Sequence, residues 1–226
     1  SFVKRYVKHS RRKLLYEIDD SVIRPSSNFS KLMFDALKGQ PMFTLDDQQE
    51  NAVSTIVYET REAIKHNRRK TIIIKGGPGT GKSIVAINAL GQLINPTGVH
   101  RAHNTAYCTT NFTPRTLFSE LLIGEDYRKS AIKELFKPIA SFARAREFDY
   151  DCILLDEAHR AFKWKFGQGV KKDIDLIDRL FYASRVNVLF IDEDQCVTKD
   201  DYLTIKLIKD YARRYGSEVI ESEDLT

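Results

Sequence analysis

Eight consecutive residues, Gly76-Gly77-Pro78-Gly79-Thr80-Gly81-Lys82-Ser83, constrain this chain more than any other stretch. They fit the pattern G-x-x-x-x-G-K-[ST] in full, and their context fits as well. The β-branched run Thr71-Ile72-Ile73-Ile74 precedes them and reads as a buried strand. Ile84-Val85-Ala86-Ile87, with Ala89 and Leu90, follows them as an apolar helical pattern. Strand, glycine-rich loop and helix together place several backbone N–H groups and the positive end of a helix dipole around one anion. All eight residues are therefore candidates for binding the phosphates of a nucleotide. Lys82 is the candidate contact to the β- and γ-phosphates, and the Ser83 hydroxyl the candidate ligand of Mg²⁺.

A chain of 226 residues is long enough for one sizeable core. Hydrophobic residues make up 42% and charged residues 30%, the balance of an ordinary soluble globular protein. No apolar run approaches the roughly 20 residues of a membrane span, so no membrane partner is expected. The N-terminus, Ser1-Phe2-Val3-Lys4-Arg5, lacks the apolar centre of a signal peptide. It also lacks an initiator Met and reads as the start of a fragment or a processed chain. Cys108, Cys152 and Cys196 are odd in number and form no zinc spacing; they read as reduced thiols of an intracellular, cytoplasmic protein, with the nucleus also open to it. The net charge of +5 permits a polyanionic partner without demanding one. The basic residues cluster at Lys4, Arg5, Lys8, Arg11, Arg12 and Lys13, and again at Arg68-Arg69-Lys70.

Residues 1–40 read as a basic lead-in segment, turn-rich around Pro25, with a short helix from Phe29 to Leu37. Residues 41–226 read as one α/β domain. Asp46 or Asp47 caps a long helix running to about His66, with Val53, Ile56, Val57 and Ile64 on one face. Strands are expected at Thr71–Lys75, Thr105–Thr110, Asp151–Leu155, Asn187–Ile191 and Glu218–Ile220. Helical patterns lie between them, clearest at Asp173–Tyr182 and Tyr202–Tyr215. This alternation predicts a parallel sheet of about five strands with helices on both faces.

The second chemical signal is Cys152-Ile153-Leu154-Leu155-Asp156-Glu157, an apolar strand ending in two acids. Ligands of open α/β sheets bind at the carboxyl ends of strands. Asp156 is placed to hold Mg²⁺ through water, and Glu157 to accept a proton from an attacking water. Phosphoryl transfer needs this kind of positioning and charge neutralisation more than covalent help. Val188-Leu189-Phe190-Ile191-Asp192-Glu193-Asp194-Gln195 repeats the design, with Gln195 a candidate to orient water or sense the γ-phosphate and Asp192 a candidate supporting contact. Gln49, in Leu45-Asp46-Asp47-Gln48-Gln49, offers an amide suited to paired hydrogen bonds with adenine.

Together these segments resemble the first RecA-like motor domain of superfamily-one helicases, most closely the branch related to the Schlafen helicase domain. The resemblance covers residues 41–226. Leu45, Gln49, Ala52 and Val53 match the spacing of that group's adenine-reading motif, which carries over Gln49. Gly76 to Ser83 match its motif I, and Asp156-Glu157-Ala158-His159-Arg160 its motif II. Asp192 and Gln195 match the D-x-x-Q of motif III, although Ile191 stands where well-studied helicases carry a glycine. The resemblance implies ATP and Mg²⁺ as ligands, ATP hydrolysis as the reaction, and single-stranded DNA or RNA as partner. Thr110 and Asn111 fall where motif Ia touches the single strand, with Phe112 and Arg115 adding stacking and phosphate contacts. A loop at Trp164, flanked by Lys163, Lys165 and Phe166, offers another place for a base to stack. His159 is implied to couple the two sites. The resemblance also implies a second RecA-like domain, normally in the same polypeptide, that supplies arginines; none fits within this chain.

Two functional readings follow. The first is the ATP-hydrolysing motor domain of a nucleic-acid helicase or translocase. The second is an ATP-dependent switch in a defence or signalling protein that unwinds nothing. A phosphate-loop transferase fits less well, because Glu157 beside Asp156 favours attack by water.

Overall fold

The computed structural model describes residues 44–94, 104–109, 134–161, 175–192, 195 and 203–226. Helix α1 spans Asp47–Lys65. Asp46 caps it: the Gln49 N–H donates to the Asp46 carboxylate, and the Asp46 N–H donates back to the Gln49 amide oxygen. At its end Asn67 takes a left-handed conformation with φ 52°, and the Arg68 N–H donates to the Ala63 carbonyl at 2.9 Å. That is the Schellman closure, with asparagine in the place glycine usually takes. Strand β1 (Lys70–Lys75) leads into the glycine-rich loop, and helix α2 (Lys82–Ile94) leaves it.

Beyond α2 the described elements are β2 (Thr105–Thr109), β3 (Phe136–Pro138), a 3₁₀ helix (Ile139–Arg144), β4 (Tyr150–Asp156), a second 3₁₀ turn (Ala158–Arg160), α3 (Leu176–Ala183), β5 (Ser184–Ile191), α4 (Ile205–Arg214) and β6 (Glu218–Glu221). The six strands form one sheet in the order β3-β2-β4-β5-β1-β6, and every neighbouring pair is parallel. The sheet is therefore one strand wider than the five expected. The extra strand, β3, is three residues long and ends in Pro138, so it carries no readable two-residue period. Proline is tolerated there because β3 lies at the sheet edge. The helices forecast at Asp173–Tyr182 and Tyr202–Tyr215 begin later, at caps made by Asp175 and Thr204. The lead-in segment, with the helix expected at Phe29–Leu37, lies outside the described residues.

The central strands are buried on both faces, which is why they read as continuous apolar runs. Ile72 and Ile74 of β1, Cys152 and Leu154 of β4, and Val188 and Phe190 of β5 pack with α1 and α2. Ile73, Ile153, Leu155, Leu189 and Ile191 face the other way, against α3, α4 and the 3₁₀ helix. Each such side chain contributes about 1.5–3 kcal/mol by leaving water. Helices thus cover both faces, and the architecture is that of a RecA-like phosphate-loop fold in general terms. No described helix is long and apolar enough to cross a membrane.

The candidate nucleotide site

The topology brings three strand ends together. In the β1–β5 pairing Lys75 lies opposite Ile191, so the loop starting at Gly76 leaves the sheet beside Asp192. In the β2–β4 pairing Thr109 lies opposite Asp156. The glycine-rich loop, Asp156 and Asp192 therefore share the carboxyl edge of the sheet, where the strand order changes direction around β1.

Within the loop, Gly79 and Gly81 have φ of +80° and +82°. Other residues rarely take that conformation, so glycine at these two positions is what lets the loop curl. The Thr80 hydroxyl donates to the Gly77 carbonyl at 2.9 Å. Lys82 is only 7% exposed. Its ammonium donates to the carbonyls of Gly76 at 2.7 Å and Gly77 at 2.6 Å, and lies 3.7 Å from the Asp192 carboxylate. The lysine thus folds back onto its own loop, held by oxygen acceptors and a buried counter-charge.

Asp156 is also buried, and both of its oxygens are engaged. Oδ2 accepts the Ser83 hydroxyl at 2.6 Å and the Tyr107 hydroxyl at 2.5 Å; Oδ1 accepts the Glu157 N–H at 2.9 Å. Burial, then the Asp156 charge, pushes the Tyr107 hydroxyl well above the usual phenol range, so it keeps its proton and donates a hydrogen bond to Asp156. Tyr107 was absent from the residues singled out in the sequence. Its only signal was the two-residue strand period, which puts residues 105, 107 and 109 on one face of β2.

Glu157 takes φ 52° in a left-handed turn, a conformation non-glycine residues adopt sparingly. The turn swings its side chain away from Asp156. Glu157 Oε2 lies 3.2 Å from His159 Nε2 and 3.4 Å from Arg160 Nε. His159 is fully buried, and its Nδ1 accepts the Asp192 N–H at 3.3 Å. That bond leaves the imidazole proton on Nε2. Arg160 also donates to the Gln195 amide oxygen at 3.5 Å. The ends of β4 and β5 are thus tied through His159–Asp192 and Arg160–Gln195.

Gln49 reaches the same place from α1. Its amide nitrogen donates to the Thr80 carbonyl at 3.3 Å, while its oxygen completes the helix cap. The neighbouring Gln48 accepts the N–H and hydroxyl of Thr226, both at 3.0 Å, and Leu225 bridges to Gly76. A cleft of about 510 Å³ adjoins the loop, lined by Lys75, Gly76, Gly77, Asp192, Glu221 and Asp224 among others.

Gln49, Gly76 to Ser83, Asp156, Glu157, Asp192 and Gln195 are accordingly brought into one neighbourhood. Thr110, Asn111, Phe112 and Arg115 lie outside the described residues, as do Lys163, Trp164, Lys165 and Phe166. Of the cysteines, Cys108 and Cys152 are buried and in no disulfide, and burial pushes the Cys152 thiol up to about 12. Cys196 lies outside the described residues.

The donor set suits Mg²⁺ with a nucleotide. Hydroxyl and carboxylate oxygens are hard ligands, and Mg²⁺ typically takes only one or two carboxylates alongside substrate phosphates. Among the described residues no group of three or more His, Cys, Asp or Glu forms a metal cage of protein ligands alone.

The model of the family described as Schlafen group 3, DNA/RNA helicase domain, matches residues 69–226. No curated protein matches the chain.

Proposed function

The chain belongs to the Schlafen group 3, DNA/RNA helicase domain family, and from that premise, with its general role as a nucleotide-binding motor domain, we propose that it binds Mg·ATP and hydrolyses it to drive movement on single-stranded nucleic acid. The observation that carries this reading is the convergence of Lys82, Ser83 and Asp156 at the carboxyl edge of the sheet.

In this reading the loop Gly76–Ser83 cradles the phosphates with its N–H groups and the start of α2. Lys82 leaves the carbonyls of Gly76 and Gly77 for the β- and γ-phosphates, a stronger partner for its charge. Ser83 and Asp156 hold Mg²⁺, which when bound neutralises phosphate charge. Glu157 accepts the proton of the attacking water, with His159 and Arg160 beside it fixing its carboxylate. Gln195, held by Arg160, responds to the γ-phosphate. The Asp192 backbone carries that response to His159. Gln49 reads adenine, for which its amide must leave Thr80 and the cap. Residues 41–226 form the motor domain, and residues 1–40 a basic lead-in. A second RecA-like domain supplies the arginine that meets charge on the transferring phosphoryl group, a contribution worth about 10³–10⁵ in rate. Thr110, Asn111, Phe112 and Arg115 contact the single strand.

The switch reading differs in one measurement. Phosphate release from Mg·ATP is followed with and without single-stranded DNA or RNA. A motor hydrolyses faster with one of them; a switch is indifferent to both; absence of both nucleotide binding and hydrolysis rejects the two together.

A further inference from the structure

We propose that Tyr107 is a positioning residue for the Asp156 carboxylate, and that its hydroxyl sets how strongly nucleotide binding depends on the divalent cation. The inference rests on the Mg·nucleotide reading of the same site.

Strand register explains how Tyr107 of β2 reaches Asp156. Tyr107 lies opposite Leu154 and Thr109 opposite Asp156. Tyr107 and Asp156 are therefore diagonal neighbours on one face of the sheet, a separation that a long side chain spans and a short one does not. The ring is 1% exposed and held by Phe136, with centroids 5.5 Å apart, so the hydroxyl has little freedom. Asp156 Oδ2 has two acceptor sites. Tyr107 occupies one at 2.5 Å and Ser83 the other at 2.6 Å, while Oδ1 is fixed by the Glu157 N–H.

The two hydroxyl donors differ in what else they can do. Ser83 sits at the start of α2, next to Lys82, and belongs to the phosphate loop. Its hydroxyl is free to exchange Asp156 for a metal. Tyr107 comes from the neighbouring strand and is buried, so its place does not depend on the phosphate loop. It keeps hold of Oδ2 when Ser83 lets go. Without it a buried carboxylate would lose a charge-assisted donor and one of the constraints on its orientation. Mg²⁺, which demands near-ideal octahedral geometry, would feel that loss most.

The test uses a fluorescent ADP analogue, titrated with Mg²⁺ and separately in EDTA, on wild type, Tyr107→Phe and Asp156→Asn. Phenylalanine keeps the ring against Phe136, and circular dichroism checks the fold. Tyr107→Phe should raise the Mg²⁺ midpoint about tenfold or more, the scale for losing an outer partner of a metal ligand. Its affinity in EDTA should match wild type within about twofold, since the loop and Lys82 are untouched. Mn²⁺, being less exacting in geometry, should restore much of the loss. An unchanged Mg²⁺ midpoint in Tyr107→Phe, with Asp156→Asn impaired, overturns the proposal and leaves the site reading standing. Equal weakening in EDTA and in Mg²⁺ also overturns it, because the tyrosine would then be a packing residue only. No Mg²⁺ dependence in wild type, or none lost in Asp156→Asn, removes the site reading itself and the proposal with it.

Discussion

Ser83 and Asp156, 73 residues apart in the chain, are joined by a 2.6 Å hydrogen bond at the carboxyl edge of the sheet. The bond links the last residue of the glycine-rich loop to the last residue of β4. It exists because β1 and β4 lie either side of β5, so α2 starts within reach of the β4 end. A hydroxyl and a carboxylate so placed can release each other and turn together to one hard cation.

Lys82→Ala should weaken nucleotide binding at least about tenfold, the scale of a lost hydrogen bond to a charged group. Among the described residues the Lys82 ammonium bonds to carbonyls of its own loop and lies near Asp192, so the sheet should stay folded. Calorimetry with Mg·ATP measures the affinity. Unchanged binding in a folded variant would remove the phosphate-loop assignment.

Glu157→Gln should retain Mg·ATP binding while turnover falls by roughly 10²–10⁴, the usual contribution of a general base. The substitution keeps the shape beside His159 and Arg160 but loses the proton acceptor. Phosphate release and nucleotide affinity, measured on the same preparation, separate the two effects. A wild-type rate would assign water activation to another group.

Gly81→Ala should damage the site more than Gly79→Ala. Both positions have positive φ, a strain of about 1–2 kcal/mol for a residue with a Cβ. At Gly81 the added carbon would also meet the Gln49 amide nitrogen at 2.6 Å, whereas at Gly79 nothing lies within 4 Å. Gly81→Ala should thus lower both the melting temperature and nucleotide affinity further. Equal losses in the two variants would mean that Gln49 moves aside freely.

Stability should fall as pH rises from about 9 to about 12. The Cys152 thiol, ordinarily near 9.0, is pushed up to about 12, mainly by burial. In that window the unfolded thiol is ionised and the folded one still protonated. The native state therefore holds the extra proton, and raising pH favours unfolding. Tyr215, also raised to about 12, adds to the slope from about 10 upward. Urea melts across this range should show a shallower decline in Cys152→Ala than in wild type. The same slope in both would assign the alkaline loss to other groups.

The strand–loop–helix unit, the acids ending β4 and the cap at Asp46 were legible in the sequence because each depends on near neighbours. Glycine is needed where φ is positive, apolar β-branched runs form buried strands, and a capping side chain bonds three residues onward. Strand β3 was not legible, since three residues ending in proline show no period; only the open edge of β2 gives them a partner.

What the sequence by itself determined is the set of local elements and the residue types able to meet a phosphate and a hard cation. Tertiary structure decided which of them meet. The parallel order β4-β5-β1 sets Ser83 against Asp156 and Lys82 near Asp192. The β2–β4 register lets Tyr107 reach Asp156. A left-handed turn at Glu157 sends two adjacent acids to different partners. None of these pairings has a sequence period, because each is fixed by burial of distant strands against one another, and burial is non-directional until the whole sheet has closed.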